Sequence, residues 1–160
     1  GGFVSRPPNN PHVARYIAAK RAAAADTEQI NKAQGARRIF TLLRGGKSVL
    51  MLADQKTNEG IGVPFFGRDS LTTPVPAALA LKLGASLLFA SNRRTGGAHF
   101  HVTLHPPLRF SPSGDEQNDI RALTAAITAR IEDMVRADPA QWLWIHRRWP
   151  TTRDVAGKRA

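Results

Sequence analysis

Two hydrophobic periods share this chain. From Asp119 to Ala137 the apolar residues Ile120, Leu123, Ile127, Ile131, Met134 and Val135 recur in steps of three and four. That spacing predicts an amphipathic helix ending before Pro139. Residues 98–105, AHFHVTLH, alternate instead, with Phe100, Val102 and Leu104 on one face and His99, His101 and His105 on the other. A half-exposed strand follows, paired antiparallel through the Arg94-Thr95-Gly96-Gly97 turn.

The remaining pattern fills in around these two. After the turn-rich Pro7-Pro8-Asn9-Asn10-Pro11, an alanine-rich helix is expected from His12 to Ala25, with Val13, Tyr16, Ile17 and Lys20 at helical spacing. A second begins near Ala33, carries Ile39, Leu42 and Leu43 on one side and stops at Gly45-Gly46. Ser48 to Ala53 reads as a nearly continuous apolar strand, which implies burial on both faces and a sheet covered by helices. Thr72 or Thr73 before Pro74 starts a helix through Ala77, Leu79, Leu81 and Leu83 that ends at Gly84, and Ser86 to Ala90 is the next strand. The stretch between, Gln55 to Arg68, reads as a loop with a greasy tip. Helices alternating with strands give an α/β fold class with a mixed central sheet covered by helices. Residues 1–149 are expected to belong to a single domain, with 150–160 a loose basic tail.

Composition narrows the partners. With 42% hydrophobic residues in 160, the chain buries a real core and is not disordered. Twenty-three Lys plus Arg against 12 Asp plus Glu leave a net charge of +11, which calls for an anionic partner: phosphate, nucleic acid or a membrane surface. The absence of cysteine removes disulfides and thiolate metal sites. No run reaches the roughly 18 to 20 apolar residues a spanning helix needs. The chain opens Gly1-Gly2-Phe3 and enters Phe3-Val4-Ser5 as though a strand were under way, so it is expected to be a fragment with an N-terminal part upstream.

Several candidate chemistries are weak. His99, His101 and His105 share a strand face but have no acidic or cysteine partner nearby, so no metal is expected. Gly45-Gly46-Lys47-Ser48 resembles the tail of a phosphate loop, yet position 41 is Thr41 and the glycines precede a strand, which favours a helix stop. Asp54-Gln55 is stronger, because it sits at the carboxyl end of a strand where α/β sheets place ligands. Ile61, Val63, Phe65 and Phe66 are expected to form an apolar wall beside it, suiting a substrate with one polar end and one hydrocarbon part. The Asp could equally cap the following turn. All three tryptophans fall within Trp142 to Trp149, beside His146, Arg147 and Arg148. That block fits a membrane interface or a stacked anion site, or else a helix whose Trp142, Ile145 and Trp149 face the core.

Arg6-Pro7-x-x-Asn10-Pro11, Asp54-Gln55, Val63-Pro64-Phe65-Phe66-Gly67-Arg68 and Pro139-x-Gln141-Trp142-Leu143-Trp144-x-His146-Arg147-Arg148-Trp149 together resemble the lipid A biosynthesis lauroyl/myristoyl acyltransferase family. The likeness runs from Arg6 to about Trp149. It implies a glycerolipid-acyltransferase-like fold, incomplete at its N-terminus. It also implies an enzyme on the cytoplasmic face of the bacterial inner membrane, peripheral through these residues and anchored upstream. Such an enzyme moves a fatty acyl chain from acyl carrier protein to a hydroxyl of the Kdo-bearing lipid A precursor, an anionic glycolipid, with no cofactor. The family's chemistry uses a His-x-x-x-x-Asp/Glu pair, in which the imidazole is general base on the acceptor hydroxyl. Five residues beyond His12, His99, His101, His105 and His146 stand Ile17, Leu104, Pro106, Phe110 and Thr151, so that pair is absent here and this chain alone is expected to be inactive.

By the same resemblance Arg6 and Asp54 are the catalytic candidates, Arg6 facing a phosphate or oxyanion and Asp54 lining the same pocket with Gln55. Phe65 and Phe66 would flank the acyl chain. Asn10, Arg68, His146, Arg147 and Arg148 are further substrate-binding candidates, the last three either meeting a sugar-phosphate headgroup or tying the end of the domain to the fold. A rival reading is a basic non-catalytic module on an anionic membrane or nucleic acid, with the pairs Arg37-Arg38, Arg93-Arg94 and Arg147-Arg148 as footprint. The chain lacks an RNP-type strand, a zinc knuckle or a helix-turn-helix, so no nucleic acid is expected as partner.

Overall fold

The computed structural model describes residues 1–24, 27–31 and 35–149, so the expected tail at 150–160 lies outside the described residues. It divides into two compact units, Gly1–Leu52 and Ala53–Ala160.

In the first unit, β1 (Gly2–Val4) lies between β2 (Glu28–Ile30) and β3 (Val49–Leu50), and both pairings are parallel. Helices α1 (Pro11–Ala24) and α2 (Gly35–Arg44) provide the crossovers that parallel strands require. Asn10 starts α1, its side-chain oxygen accepting from the N–H groups of His12 at 2.9 Å and Val13 at 3.4 Å. Helix α2 ends as its Gly45-Gly46 stop predicts, Gly46 having φ 72°. Ile30 and Ile39 are buried in this unit. Gly2 is buried as well, and a side chain there would meet the Cδ1 methyls of Ile30 and Leu42 at 2.8 Å, so those side chains would have to shift to admit one.

The expected strand from Ser48 to Ala53 is shorter than its apolar run. Only Val49 and Leu50 pair, and Leu50 and Leu52 are exposed at 61% and 70%, so it is not buried on both faces. The cause is geometric: β3 is paired with β1 alone, and alternate side chains of a strand point to opposite faces.

The second unit is organised by α4 (Glu116–Ala137), whose buried Leu123, Ile127, Ile131 and Val135 keep the predicted three-and-four spacing. Asp115 caps it, accepting from the N–H groups of Gln117 and Asn118. Against α4 pack the antiparallel hairpin β4 (Ile61–Phe65) and β5 (Arg68–Thr72) and the helix α3 (Val75–Leu83), which Gly84 ends at φ 62°. Phe65, Ala77 and Ala80 complete the core, with Trp142 and Trp149 packed on it half-buried.

The hairpin corrects the expectation of a loop over 55–68. Ile61, Val63 and Phe65 alternate with Gly62 and Pro64, and Val63 and Phe65 are buried at 1% and 0% exposure. A last hairpin pairs β6 (Ala90–Gly96) with β7 (His99–Leu104), and its turn falls at Gly97-Ala98 rather than over Arg94 to Gly97, because Arg94, Thr95 and Gly96 continue the strand past a bulge. The predicted strand Ser86–Ala90 is not regular, although Phe89 and Leu87 carbonyls accept from the N–H groups of His105 and Leu108, so the ribbon continues to its root. Beyond that root it stands clear of the core, and Phe100, Val102 and Leu104 are exposed at 51%, 61% and 73%. The α/β class holds, its parallel and antiparallel strands divided among three sheets within the described residues.

Candidate functional site

Asp54 and Gln55 follow β3 and, in the second unit, line a small cavity of about 20 Å³ with Trp142, Leu143 and His146. That is room for about one water, not for a hydrocarbon chain. The apolar wall beside the pair therefore comes from Trp142 and Leu143, and the expectation that Ile61, Val63, Phe65 and Phe66 supply it is corrected. Val63 and Phe65 are spent on the core, because β4 turns those side chains toward α4. Sequence reading did not bring His146 to Asp54, since they are far apart along the chain and no periodicity links them.

Arg148 supplies the electrostatics. Its guanidinium is almost completely buried and donates to the hydroxyl of Ser70, to the carbonyl of Leu71 at 3.2 Å and to the hydroxyl of Thr72 at 2.7 Å. The Ser70 hydroxyl donates in turn to the Arg148 carbonyl at 2.6 Å. Burial pushes the Arg148 guanidinium below its ordinary value, and the Asp54 carboxylate acts in the opposite sense. Two buried atoms here have no hydrogen-bond partner, Asp54 Oδ1 and Arg148 Nε. An unsatisfied buried carboxylate oxygen facing a cation is a place where a hydroxyl or an N–H of a ligand is bound favourably.

The segment after α4 is not the helix that would align Trp142, Ile145 and Trp149. A short 3-10 turn at Pro139–Gln141 passes into turns held by Trp144 N–H to Trp142 O at 3.0 Å and His146 N–H to Leu143 O at 3.1 Å. Trp142 and Trp149 reach Phe65, with ring centroids 6.0 and 5.6 Å away, while Ile145 is exposed. Of the His-Arg-Arg block, His146 reaches the cavity, Arg147 is exposed, and Arg148 ties the segment to β5.

Phe66 and Gly67 form the two-residue turn of the β4–β5 hairpin, with φ 51° and 70°. Positive φ at both central positions suits the strand twist, but costs a phenylalanine about 1 kcal/mol. The conformation is held from outside. The Phe66 N–H donates to Glu132 Oε2 at 2.6 Å, Arg136 donates to Glu132 Oε1, and the Arg136 guanidinium lies 4.5 Å from the Phe66 ring centre. The N–H of Phe66 first, and Arg136 next, hold the Glu132 carboxyl below its ordinary range. Of the phenylalanine pair, Phe66 thus reaches the surface and Phe65 fills the interior. Arg68 is exposed, its guanidinium 5.5 Å from the Trp149 ring centre.

In the first unit, Arg6 is exposed and donates to Asn9 Oδ1 at 2.7 Å. Asn10 is engaged as the cap of α1. His105 lies within 2.9 Å of Ser91 Oγ and 3.4 Å of an Arg130 nitrogen, and among the described residues no three of His, Cys, Asp or Glu gather as a metal site. Among the described residues, too, no helix is long and apolar enough to cross a membrane.

Comparison with known proteins adds what geometry alone does not. The family model for bacterial lipid A biosynthesis acyltransferases matches residues 2–151. The phosphatidylinositol mannoside acyltransferase of Mycobacterium tuberculosis is 29% identical over 108 residues, in both strain CDC 1551 / Oshkosh and strain ATCC 25618 / H37Rv. The match takes in 67% of this chain and 32% of that protein, so the chain spans about a third of the length of the curated relatives it matches.

Proposed function

Because the chain belongs to the bacterial lipid A biosynthesis acyltransferase family, we propose that this protein is an acyltransferase of glycolipid synthesis. The match over residues 2–151 carries the reading. The fatty acyl donor is acyl carrier protein, and the acceptor is a hydroxyl of the lipid A precursor, an anionic glycolipid. The reaction takes place at the cytoplasmic face of the bacterial inner membrane. The relative named for phosphatidylinositol mannoside supports acyl transfer onto a sugar-bearing lipid more broadly, so the sugar headgroup is the least constrained part of the proposal.

The acceptor hydroxyl must lose a proton as it attacks the thioester carbonyl, and the oxyanion that forms needs donors. Asp54 is assigned the orienting carboxylate. Its buried free oxygen accepts from the acceptor hydroxyl or from the N–H of the imidazole base. Gln55 and His146, on the same cavity, hold the polar end of the acceptor. Arg6 is assigned to a phosphate or oxyanion, and Arg68 and Arg147 to headgroup phosphates. No histidine of this chain is followed by the acidic partner of the family pair, so these 160 residues alone do not turn over.

The test is transfer of labelled acyl chain from acyl carrier protein to lipid A precursor by the full-length protein. Asp54→Ala is expected to lower kcat by about a hundredfold with the circular-dichroism melt retained, the usual scale of a lost proton-transfer or orienting group. Normal turnover by the folded Asp54→Ala protein would remove Asp54 from the site.

A further inference from the structure

Leu143, Trp144 and Ile145 are exposed at 60%, 52% and 87%, three large apolar side chains in succession on a segment whose neighbours Trp142 and Trp149 are drawn into the core. Nothing in the folding of this segment requires that exposure. The knuckle is also stiff, since its turns are hydrogen-bonded and the Trp144 indole N–H donates to Pro139 O at 2.7 Å. Contiguous apolar surface of this kind, held in place, marks a docking site.

The surroundings say what docks. The Phe66 ring lies 6.2 Å from that of Trp144, extending the patch across the strained hairpin turn, and Arg136 stacks on Phe66. Arg147, two residues beyond Ile145, is exposed, and Arg68 stacks on Trp149, itself 6.4 Å from Phe66. Of the acidic groups nearby, Glu132 is engaged by Arg136 and the Phe66 N–H, and Asp138, next to the Pro139 whose carbonyl Trp144 meets, pairs with Arg93 at 3.1 Å. Asp69 follows Arg68 on β5 and alternates to the opposite face. A rim of arginines around tryptophan, phenylalanine, leucine and isoleucine complements anionic phosphates above hydrocarbon. Ile145 at 87% exposure stands off the surface without walls to grip a protein partner, which favours a lipid surface over a peptide.

We propose that Phe66 and the Leu143-Trp144-Ile145 knuckle insert shallowly into an anionic phospholipid bilayer, with Arg68, Arg136 and Arg147 on the headgroup phosphates. The proposal rests on the acyltransferase reading only in taking the surface to be the membrane that holds the acceptor. Its geometry lies wholly in the second unit and involves no acyl donor.

This chain is mixed with vesicles of phosphatidylglycerol and phosphatidylcholine, or of phosphatidylcholine alone, and binding is read by co-flotation. Wild type is expected to float with the anionic vesicles, less so in high salt. Ile145→Asp, too exposed to disturb folding, is expected to bind at least about tenfold more weakly, the scale of withdrawing one large aliphatic side chain from hydrocarbon. Quenching of tryptophan emission by bromine-labelled acyl chains is expected to fall sharply in Trp144→Phe. Equal flotation of Ile145→Asp, no flotation of wild type, or capture of an acidic protein through the same side chains would overturn the proposal. In the full-length protein, Ile145→Asp is expected to keep turnover on detergent-dispersed acceptor and lose it on vesicles. Loss of neither sinks the docking surface alone, whereas vesicle binding without turnover by wild type in either format sinks the acyltransferase reading alone.

Discussion

Arg148 shows how a single residue changes meaning when the backbone around it is known. In sequence it is one of two adjacent arginines in a basic block, and the ordinary expectation is a solvated charge. In the structure it is 1% exposed, and its donors go to Ser70, Leu71 and Thr72. The signal that was available lay in β5, where Ser70 and Thr72 occupy the inward positions of a strand and need a polar partner. Arg148→Met is expected to destabilise the second unit by about 3 kcal/mol, because both hydroxyls lose a buried donor and Asp54 its neighbouring cation. Arg148→Lys retains the charge but cannot reach both hydroxyls in a fixed fork, so a smaller loss is expected. A urea titration followed through tryptophan emission checks both variants. An unshifted midpoint for Arg148→Met would mean that the guanidinium only fills space.

Among the elements, those with an internal period or a stop signal were legible, and those defined by a distant partner were not. Helix α4 follows from its apolar spacing, α3 from Pro74 and Gly84, and α2 from Gly45-Gly46, since each signal is local. The β4–β5 hairpin is hidden by Gly62, Pro64 and the charged Arg68-Asp69 pair, which resemble loop chemistry. Its cue is the short alternation of Ile61, Val63 and Phe65. Part of the candidate site shares that fate: Asp54-Gln55 stood out by position, but its companions Trp142, Leu143 and His146 arrive through turns that no periodicity foretells. Helix α4 starts at Glu116, three residues before the Asp119 expected from its apolar spacing, because Asp115 caps it ahead of the first apolar position. The buried Asp119 carboxylate accepts from the Ser113 N–H at 2.9 Å, the Ser113 hydroxyl at 2.8 Å and the Gly114 N–H at 3.1 Å. The Ser113 N–H is the main cause of its lowered pKa. A carboxyl lowered in the folded state stabilises above its unfolded pKa, and that stability is lost as pH falls through the folded value. Asp119→Asn is therefore expected to melt lower than wild type at neutral pH, with the gap narrowing as pH falls below about 4. Thermal melts across that range check the sign, and a gap that widens in acid would contradict it.

On the scale of the whole molecule, apolar burial is unevenly shared. Among its described residues the first unit has Ile30 and Ile39 as buried hydrophobics, strands of two or three residues, and a helix α1 whose Val13 and Tyr16 are exposed at 44% and 64%. The second has Val63, Phe65, Ala77, Ala80, Leu123, Ile127, Ile131 and Val135, arranged about a helix of 22 residues. The ion pair of Glu28 with Arg38 in the first unit, at 2.5 Å, lies on the surface, where such contacts contribute little. Local opening free energy follows buried apolar contact more closely than secondary-structure content. The basic charge of +11 adds self-repulsion that the larger core withstands better. Native-state hydrogen exchange on this chain is thus expected to show amides in the middle of α4 exchanging on the order of a hundredfold more slowly than those of β1 and α1. Added salt should narrow the difference by screening the arginines. Equal protection of β1 and α4 would show that the chain unfolds as one cooperative body, and that the uneven core does not govern its stability.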